Sequence, residues 1–388
     1  MARAAAGNGR RGPSLDTDRL LADHCVRTIV CCGSGGVGKT TTAAALGVRA
    51  AEQGRRVVVL TIDPARRLAQ SLGLVALDNT PRPVPGVDTH SGGTLDAMML
   101  DMKRTFDDVV EAHATPAKAA QILANPFYQA VSSSFAGTQE YMAMEKLGQL
   151  RTLADRDGTW DLIIVDTPPS RSALDFLDAP RRLGSFLDGR FIRILAAPAR
   201  AGGRAYLKAV SFGVTLAAAT LTKVLGGQLL ADVQTFVAAL DTMFGGFRER
   251  ADATYALLKE PSTAFVVVAS PERDALREAS YFVDRLGEER MPLAGVVINR
   301  MQRVTAPGLS ASRASAAAEA LEEAGSETST TGLLLVHEEL ARTTARHAAQ
   351  AKRFRTTHPG IPVAEIPASP RDIHDLDGLR SVAEALAT

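Results

Sequence analysis

Residues 28–41 read TIVCCGSGGVGKTT, and this stretch decides the fold. An apolar run, Thr28 to Cys32, leads directly into a glycine-rich segment that fits the pattern G-x-x-x-x-G-K-[ST], and an alanine-rich helical segment follows. The pattern predicts a strand, a loop and a helix, in which glycines let backbone N–H groups turn inward around an oligophosphate. The residues expected in this phosphate-binding loop are Gly33, Ser34, Gly35, Gly36, Val37, Gly38, Lys39, Thr40 and Thr41.

Two side chains of the loop have specific predicted roles. Lys39 is expected to reach the β- and γ-phosphates of a nucleotide, and the hydroxyl of Thr40 is expected to bind Mg²⁺. A chance match to the four fixed positions occurs in roughly one per cent of chains of this length. The strand and helix on either side make chance rarer still, so we predict a nucleotide and Mg²⁺ site here.

The composition argues against several classes of protein. With 44 Lys and Arg against 43 Asp and Glu, the formal net charge of the 388 residues is +1. A dedicated nucleic-acid binder needs a basic excess that displaces counterions, so no nucleic-acid partner is expected. The three cysteines, Cys25, Cys31 and Cys32, lie in or beside the first predicted strand. We expect small core residues in a reducing compartment there, because adjacent strand residues point to opposite faces.

No secretory or membrane-crossing segment is expected. Residues 1–16 begin with an Arg- and Gly-containing stretch without an apolar core, and predict a disordered tail. The uncharged run at 119–139 is interrupted by Asn125-Pro126, and the apolar run at 209–222 is shorter than the roughly 20 residues that a crossing needs. The sequence predicts a soluble protein in the cytoplasm, either free or peripheral at the membrane.

Two further apolar runs each end in an aspartate. Residues 56–62, RVVVLTI, predict a buried parallel strand next to the strand of the phosphate-binding loop, and Asp63 follows it. Asp63 could orient a water or reach the metal, or it could cap a short helix that starts at Pro64. Residues 160–165, WDLIIV, end in Asp166, whose carboxylate is expected to hold Mg²⁺ through water as in a Walker B segment.

The order of elements predicts an α/β fold with a mostly parallel sheet and helices on both faces. Strands and helices alternate in the last third of the chain, whereas two earlier blocks are helical and are interpreted as insertions. The second block interleaves arginines with apolar residues, which indicates a solvated basic face or a surface for an acidic partner, an anionic lipid or an apolar peptide. The predicted organisation is a tail at 1–16, core segments at 17–102, 154–174 and 261–388, and a helical subdomain from the insertions at 103–153 and 175–260.

Taken together, these motifs resemble the ArsA-type ATPases. This family of P-loop proteins with a deviant Walker A includes arsenical pump ATPases and ATPases that deliver tail-anchored membrane proteins. The resemblance spans almost the whole chain and depends on GSGGVGKTT at 33–41, on TIDPA at 61–65, where the family has switch I, and on DTPPS at 166–170, where it has switch II. Weaker support comes from residues 137–140, 270–272 and 298–300.

The resemblance implies roles for individual residues. It implies that Asp63 polarises the attacking water and acts with Lys39 in catalysis, and that Asp166 is the metal partner. It further implies that Asn299 hydrogen-bonds adenine and that the segment at Pro367 lies against the base. ATP and Mg²⁺ are the implied cofactors. Two subunits would face each other, closing on ATP and opening on hydrolysis while the helical insertions move.

Two departures from the family pattern change these expectations. The deviant Walker A has a second lysine directly after its first glycine, and Ser34 stands there in this chain. That lysine reaches the partner's phosphates, so we expect either slow hydrolysis by the chain alone or a related ArsA-like subunit that supplies the lysine. Arsenite binding is not expected, because soft As(III) needs several thiolates and the cysteines lie only by the first strand.

Three functions stay open on the sequence alone. The first is an ATP-driven motor coupled to anion transport or membrane-related delivery, and the second is a chaperone that holds apolar or membrane protein segments between Met-containing helices. The third is a partitioning-type positioning switch, against which the long insertions and the near-zero charge count. The expected partners are the chain itself or a related subunit, together with a membrane protein or an apolar client.

Overall fold

The computed structural model describes residues 12–63, 67–126, 128–129, 138–168, 249–325 and 329–387, with side chains described from Tyr141 onward in the fourth range. Outside these residues lie most of the predicted tail, residues 64–66 and 169–170 of the two predicted switches, residue 137, and most of the second helical block with its arginine-rich stretch.

One eight-stranded sheet forms the centre of the fold, in the order β3-β4-β2-β5-β1-β6-β7-β8. Strands β1, β2, β5, β6, β7 and β8 pair in parallel, and β3 pairs antiparallel with β4. This architecture confirms the predicted α/β class. The strands are β1 Thr28–Gly33, β2 Arg56–Thr61, β3 Arg82–Pro83, β4 Thr94–Met99, β5 Leu162–Asp166, β6 Thr263–Ala269, β7 Leu293–Met301 and β8 Val363–Pro367.

The central strands are buried along their whole length. Every residue of β1, β5 and β6 is buried, as expected for parallel strands that are covered on both faces. The β-branched and apolar runs of the sequence therefore predict their positions to within three residues. The carboxyl ends of these strands lie at one edge of the sheet, and the aspartates that follow apolar runs are carried there.

The sheet differs from the sequence expectation in two respects. The strand before Asp63, β2, is not the neighbour of β1, because β5 lies between them. The run at 95–100 forms β4, but it is not an edge strand, because residues of the predicted loop at 80–93 add β3 outside it. Pro83 lacks a backbone N–H and therefore suits an edge strand, whereas the prolines of this segment predict a loop.

Ten helices are described in full. They are α1 Thr17–Ala22, α2 Lys39–Glu52, α3 Arg67–Ser71, α4 Met102–His113, α5 Pro116–Leu123, α6 Thr138–Asp157, α7 Arg273–Glu288, α8 Ala311–Glu323, α9 Ser329–Thr357 and α10 Leu376–Leu386. Helix α9 is longer than the predicted 336–353, because its packing against α8 overrides the low helix propensity of Thr331 and Gly332.

Small side chains let α2 lie close to the sheet. Ala43, Ala44 and Ala45 are fully buried, and a Cβ added at Gly47 would lie 2.7 Å from Cγ2 of Val59 on β2. The alanine-rich segment after the loop is thus a close-packed helix, and its first residue, Lys39, is held in a fixed position relative to β1 and β2.

The described residues form two compact units. The first contains the described residues up to 98, together with 158–168 and 259–387, and includes the sheet. The second contains the described residues of 99–157 and 249–258. Within the second unit the Tyr128 hydroxyl donates to Oδ1 of Asp107 at 2.5 Å, and Nε of Arg250 lies 3.0 Å from Oε2 of Glu145. No helix among the described parts of the chain is both long and apolar enough to cross a membrane.

A buried arginine joins the amino-terminal ends of the strands. Arg55, directly before β2, is 2% exposed. Its guanidinium donates to Oδ1 of Asp161 at 2.6 Å and to the carbonyl oxygens of Leu21, Val26 and Asp161 at 2.8–2.9 Å. A buried cation with this many charge-assisted hydrogen bonds holds the start of β1, β2 and β5 together at the edge opposite the phosphate-binding loop.

We predict that Arg55→Met destabilises the fold by about 3 kcal/mol or more. Methionine fills similar volume but leaves the buried carbonyl oxygens of Leu21 and Val26 without this donor and removes the hydrogen bonds to the Asp161 carbonyl and Oδ1. The neighbouring Arg56 is half exposed and lies 3.6 Å from Asp161, so Arg56→Met is the matched control with a cost below about 1 kcal/mol. The measurement is the thermal midpoint of each variant, and equal midpoints for the two variants would contradict the prediction.

Candidate phosphate-binding site

The loop between β1 and α2 requires glycine at defined positions. Gly36 and Gly38 have φ angles of 74° and 97°, in the left-handed region that glycine adopts without strain. A Cβ at Gly33 would lie 2.0 Å from the carbonyl oxygen of Val268, and one at Gly38 would lie 2.2 Å from Nδ2 of Asn299. Both the backbone angles and the close neighbours therefore explain the glycines of the motif.

Lys39 lies folded over the loop. Its side chain is only 7% exposed, and Nζ donates to the carbonyl oxygen of Ser34 at 2.8 Å. Burial lowers the pKa of the Lys39 ammonium, and the carboxylate of Asp166 acts in the opposite direction. An anion in the loop would favour the charged form, because it places negative charge beside a desolvated cation.

Asp166 is a fully buried carboxylate at the end of β5. Its Oδ2 accepts from the hydroxyl of Thr40 at 2.7 Å and from the hydroxyl of Thr61 at 2.9 Å. Its Oδ1 is also buried and has no hydrogen-bond partner in the described part of the structure. Burial raises the pKa of Asp166 to about 6, while the hydrogen bonds from Thr40 and Thr61 and the charge of Lys39 limit the rise.

Sequence reasoning missed the role of Thr61. The hydroxyl of Thr61 donates to Asp166 and also accepts the backbone N–H of Asp63 at 3.3 Å. The parallel register places Thr61 directly opposite Asp166. A strand that ends in a threonine and a strand that ends in an aspartate are a signal for such a contact, but their pairing has to be known first.

A cavity of about 930 Å³ opens over the loop. It brings together most of the predicted loop with Asp63, and adds side chains that were not predicted. From the prediction it contains Gly35, Gly36, Gly38, Lys39, Thr40, Thr41 and Asp63; the added residues are Arg67, Gln70, Ser71, Arg300, Asp372, Ile373 and His374. Its size and its charged and hydroxyl groups suit an oligophosphate ligand.

Asn299 and Pro367 lie beside this cavity. Nδ2 of Asn299 donates to the carbonyl oxygen of Val37 at 2.8 Å, and its Oδ1 accepts the backbone N–H of Arg300 at 2.9 Å. The amide thus supports the loop, a contact that the sequence did not indicate. Pro367 lines a neighbouring cavity of about 570 Å³, whose wall shares residues 372–374 with the first. The assignment of both residues to adenine stays a prediction.

The residues fit a magnesium ion whose other ligands are mostly water and phosphate oxygens. The described residues contain no group of three or more His, Cys, Asp or Glu side chains that could hold a metal by themselves. However, Thr40 lines the cavity and its hydroxyl donates to the carboxylate of Asp166, whose Oδ1 has no hydrogen-bond partner among the described residues. Mg²⁺ prefers such oxygen ligands and commonly keeps several waters, so one hydroxyl and one nearby carboxylate suffice.

The raised pKa of Asp166 predicts a pH-dependent stability. Since the pKa is about 6 in the folded chain and 3.8 in the reference state, the folded chain binds more protons between these values. Stability therefore falls as pH rises from about 4 to about 6, and ionised Asp166 costs the fold on the order of 3 kcal/mol at pH 7. We expect Asp166→Asn to have a higher thermal midpoint than the parent at pH 7.5, with the difference shrinking toward pH 4.5.

The control for this prediction is Asp96→Asn. Asp96 accepts a hydrogen bond of 2.7 Å from Nε1 of Trp160, which an amide oxygen can accept equally well. This variant is expected to follow the pH dependence of the parent. A midpoint difference between Asp166→Asn and the parent that stays constant across the pH range would show that Asp166 is not the group responsible.

Comparison with known proteins assigns the chain to a family. The family described as anion-transporting ATPase matches residues 26–306, which include the loop, Asp63, Asp166 and Asn299. Among curated proteins, the arsenical pump-driving ATPase of Acidiphilium multivorum is 32% identical over 158 residues, which are 40% of this chain and 26% of that protein. ATPase GET3 of Podospora anserina is 26% identical over 292 residues, 74% of this chain and 76% of that protein.

Other relatives match shorter parts. The ATPase ASNA1 homolog of Entamoeba dispar is 26% identical over 179 residues, which cover 45% of this chain and 53% of that protein. The chain thus spans about a quarter to three quarters of the length of these curated relatives. The family model matches well over half of the chain. This match agrees with the resemblance that the three motifs indicate. On the strength of the match over residues 26–306, the chain belongs to the ArsA-type, anion-transporting ATPase family.

Proposed function

We propose that the chain binds Mg·ATP in the phosphate-binding loop and hydrolyses it. The observation that carries the proposal is the junction at Asp166, where the hydroxyls of Thr40 and Thr61 meet one buried carboxylate at 2.7 and 2.9 Å. This junction connects the start of α2 to the ends of β2 and β5. A water-mediated metal contact needs a carboxylate oxygen that can still accept a hydrogen bond, and Oδ1 of Asp166 has no partner among the described residues.

The residues around the junction would have separate roles in phosphate binding and in hydrolysis. The loop N–H groups and Lys39 would hold the β- and γ-phosphates, and Mg²⁺ would supply positive charge that stabilises the transferring phosphoryl group. Asp63 lines the same cavity, and the hydrogen bond from its N–H to Thr61 fixes its backbone. We propose that the Asp63 carboxylate orients the attacking water, a step that depends mainly on position.

Two substitutions separate binding from hydrolysis. Lys39→Ala removes the ammonium from the loop and is expected to weaken ATP binding by about a hundredfold, because a desolvated charge-assisted contact is lost. Asp63→Asn is expected to keep the affinity within about threefold and to lower kcat by about 10²- to 10⁴-fold. Calorimetry with Mg·ATP and a phosphate-release assay measure the two effects.

Asp78→Asn is the control, since Asp78 forms an ion pair with the exposed Arg82, accepts the backbone N–H of Thr80 and lies outside the cavity. It should bind and hydrolyse as the parent does. If the parent shows no heat of binding with Mg·ATP, with or without a related subunit, the proposed function is wrong. If Asp63→Asn hydrolyses normally, only the role of Asp63 is wrong.

We further propose that the functional unit pairs this chain with a second copy or a related subunit. Support comes from Ser34, which stands where the family carries the lysine that crosses to the partner's phosphates. The Ser34 carbonyl binds Lys39 of its own loop, and its hydroxyl is buried without a hydrogen-bond partner among the described residues. A symmetric pair of this chain therefore has one cation fewer in each site than a pair that carries the lysine, and we expect it to turn over slowly.

The proposal about Ser34 predicts a gain of activity. We expect Ser34→Lys to raise ATP turnover of the purified chain at least tenfold, because it restores a cation where charge develops. Ser34→Ala, which changes the same position without adding charge, should leave turnover unchanged. Fast hydrolysis by the parent alone, with no gain from Ser34→Lys, would overturn the proposed requirement for a partner.

Coupling to anion transport or membrane-related delivery is the task that we favour. The description of the family as anion-transporting ATPase and the arsenical pump-driving ATPase among the relatives support the transport task. Cys31 and Cys32 are buried, and burial raises the pKa of the Cys32 thiol to about 12. Inert buried thiols beside a single exposed Cys25 do not suit As(III), so we do not propose arsenite as the ligand. We propose a cytoplasmic location with peripheral contact at the membrane.

A chaperone for apolar segments is the second candidate. Asp63→Asn protein held with ATP can be mixed with detergent-solubilised membranes to decide between the two. Recovery of a single integral membrane protein or of a related ATPase subunit favours the motor. Recovery of many proteins that share only an apolar segment favours the chaperone, and salt-sensitive retention on DNA favours the positioning switch.

A further inference from the structure

A bulge in β7 turns Arg300 out of the regular strand. The register with β8 shifts between Ile298 and Met301, and Arg300 has a φ of 62° within the shift. A left-handed backbone angle is unfavourable for arginine, and bulges of this kind commonly re-aim a side chain at a functional site. The side chain that this bulge re-aims lines the cavity over the phosphate-binding loop.

The bulge is tied directly to the loop. Asn299 donates to the carbonyl oxygen of Val37 at 2.8 Å and accepts the backbone N–H of Arg300 at 2.9 Å. Arg300 therefore directly follows a residue that hydrogen-bonds the loop, and it lines the same cavity as Gly38 and Lys39. Asn299 thus fixes both the backbone of Arg300 and the loop at Val37.

The guanidinium of Arg300 is available for a ligand. The structure gives it no acidic or carbonyl partner among the described residues, and the side chain is exposed. The ammonium of Lys39 is engaged with Ser34, and Ser34 itself brings no charge. Among the described residues, the other charged groups in the cavity wall are Asp63, Arg67 and Asp372, so Arg300 is one of two described arginines that can balance a polyphosphate there.

We propose that Arg300 is a nucleotide-binding residue that donates charge-assisted hydrogen bonds to phosphate oxygens of the nucleotide bound by its own chain. This inference rests on the proposed function. Arg300 would raise the affinity by neutralising charge on the bound nucleotide, whereas the missing lysine at position 34 would affect the rate of hydrolysis. Arginine suits this task because its planar group presents several donors and keeps its charge. The strained bulge is then maintained because it delivers this cation.

The test uses variants that separate charge from backbone strain. Arg300→Asn removes the cation while asparagine tolerates the left-handed angle, and Arg300→Lys keeps the charge but loses the fork of donors. Arg290 is the matched control, because it is the other non-glycine residue with a positive φ, 57°, in the described chain, and it lies outside the cavity. Arg290→Asn should bind nucleotide as the parent does.

Calorimetry with Mg·ATP and Mg·ADP gives the outcome. We expect Arg300→Asn to raise Kd for both nucleotides by about ten- to one-hundredfold, Arg300→Lys to give an intermediate loss, and the salt dependence of binding to become weaker in Arg300→Asn. Should Arg300→Asn fail to fold, the loss in Arg300→Lys decides the matter.

Unchanged affinity in both Arg300 variants, with normal binding by the parent and by Arg290→Asn, overturns the role of Arg300 alone. Absence of Mg·ATP binding in the parent itself, in Arg290→Asn and in both Arg300 variants overturns the proposed function, and the inference falls with it.

Discussion

One buried carboxylate organises the site. Asp166 is fully enclosed at the end of β5, and its hydrogen bonds from Thr40 and Thr61 join the phosphate-binding loop to the ends of two strands. Because desolvation disfavours its charge, the carboxylate requires these two donors to stay ionised near neutral pH. The position of Thr40, and with it the first turn of α2, is therefore fixed by electrostatics as well as by backbone geometry.

The two ends of the sheet use charge in opposite ways. At the amino-terminal ends, Arg55 is buried with a full set of acceptors and closes the structure. At the carboxyl ends, Asp166 keeps one oxygen without a partner in the described residues, and Asp63 and Arg300 line a cavity. Satisfied buried charge gives rigidity, whereas charge left open toward a cavity gives binding. The same sheet thus separates a structural edge from a functional one.

The sequence predicts what is local and leaves out what depends on pairing. The loop, its strand and its helix follow from glycine conformation and apolar runs, so Gly33, Gly38 and Lys39 lie where the motif predicts. The contact between Thr61 and Asp166, and that between Asn299 and Val37, depend on which strands are neighbours and in which register. The predicted position of β2 next to β1 is wrong, because an apolar run shows that a strand is buried but not which strand lies beside it.

The electrostatics of the site imply that ligand binding and local stability are coupled. Burial lowers the pKa of Lys39 and raises the pKa of Asp166, so desolvation works against the charged form of both groups. A polyphosphate with its metal ion reverses this for each of them, since it places negative charge beside Lys39 and positive charge beside Asp166. The bulge that carries Arg300 adds backbone strain to the same site. A site built from disfavoured charges and a strained strand end gains more stability from a bound ligand than a relaxed site does, so ligand binding is expected to stabilise this edge of the sheet in particular.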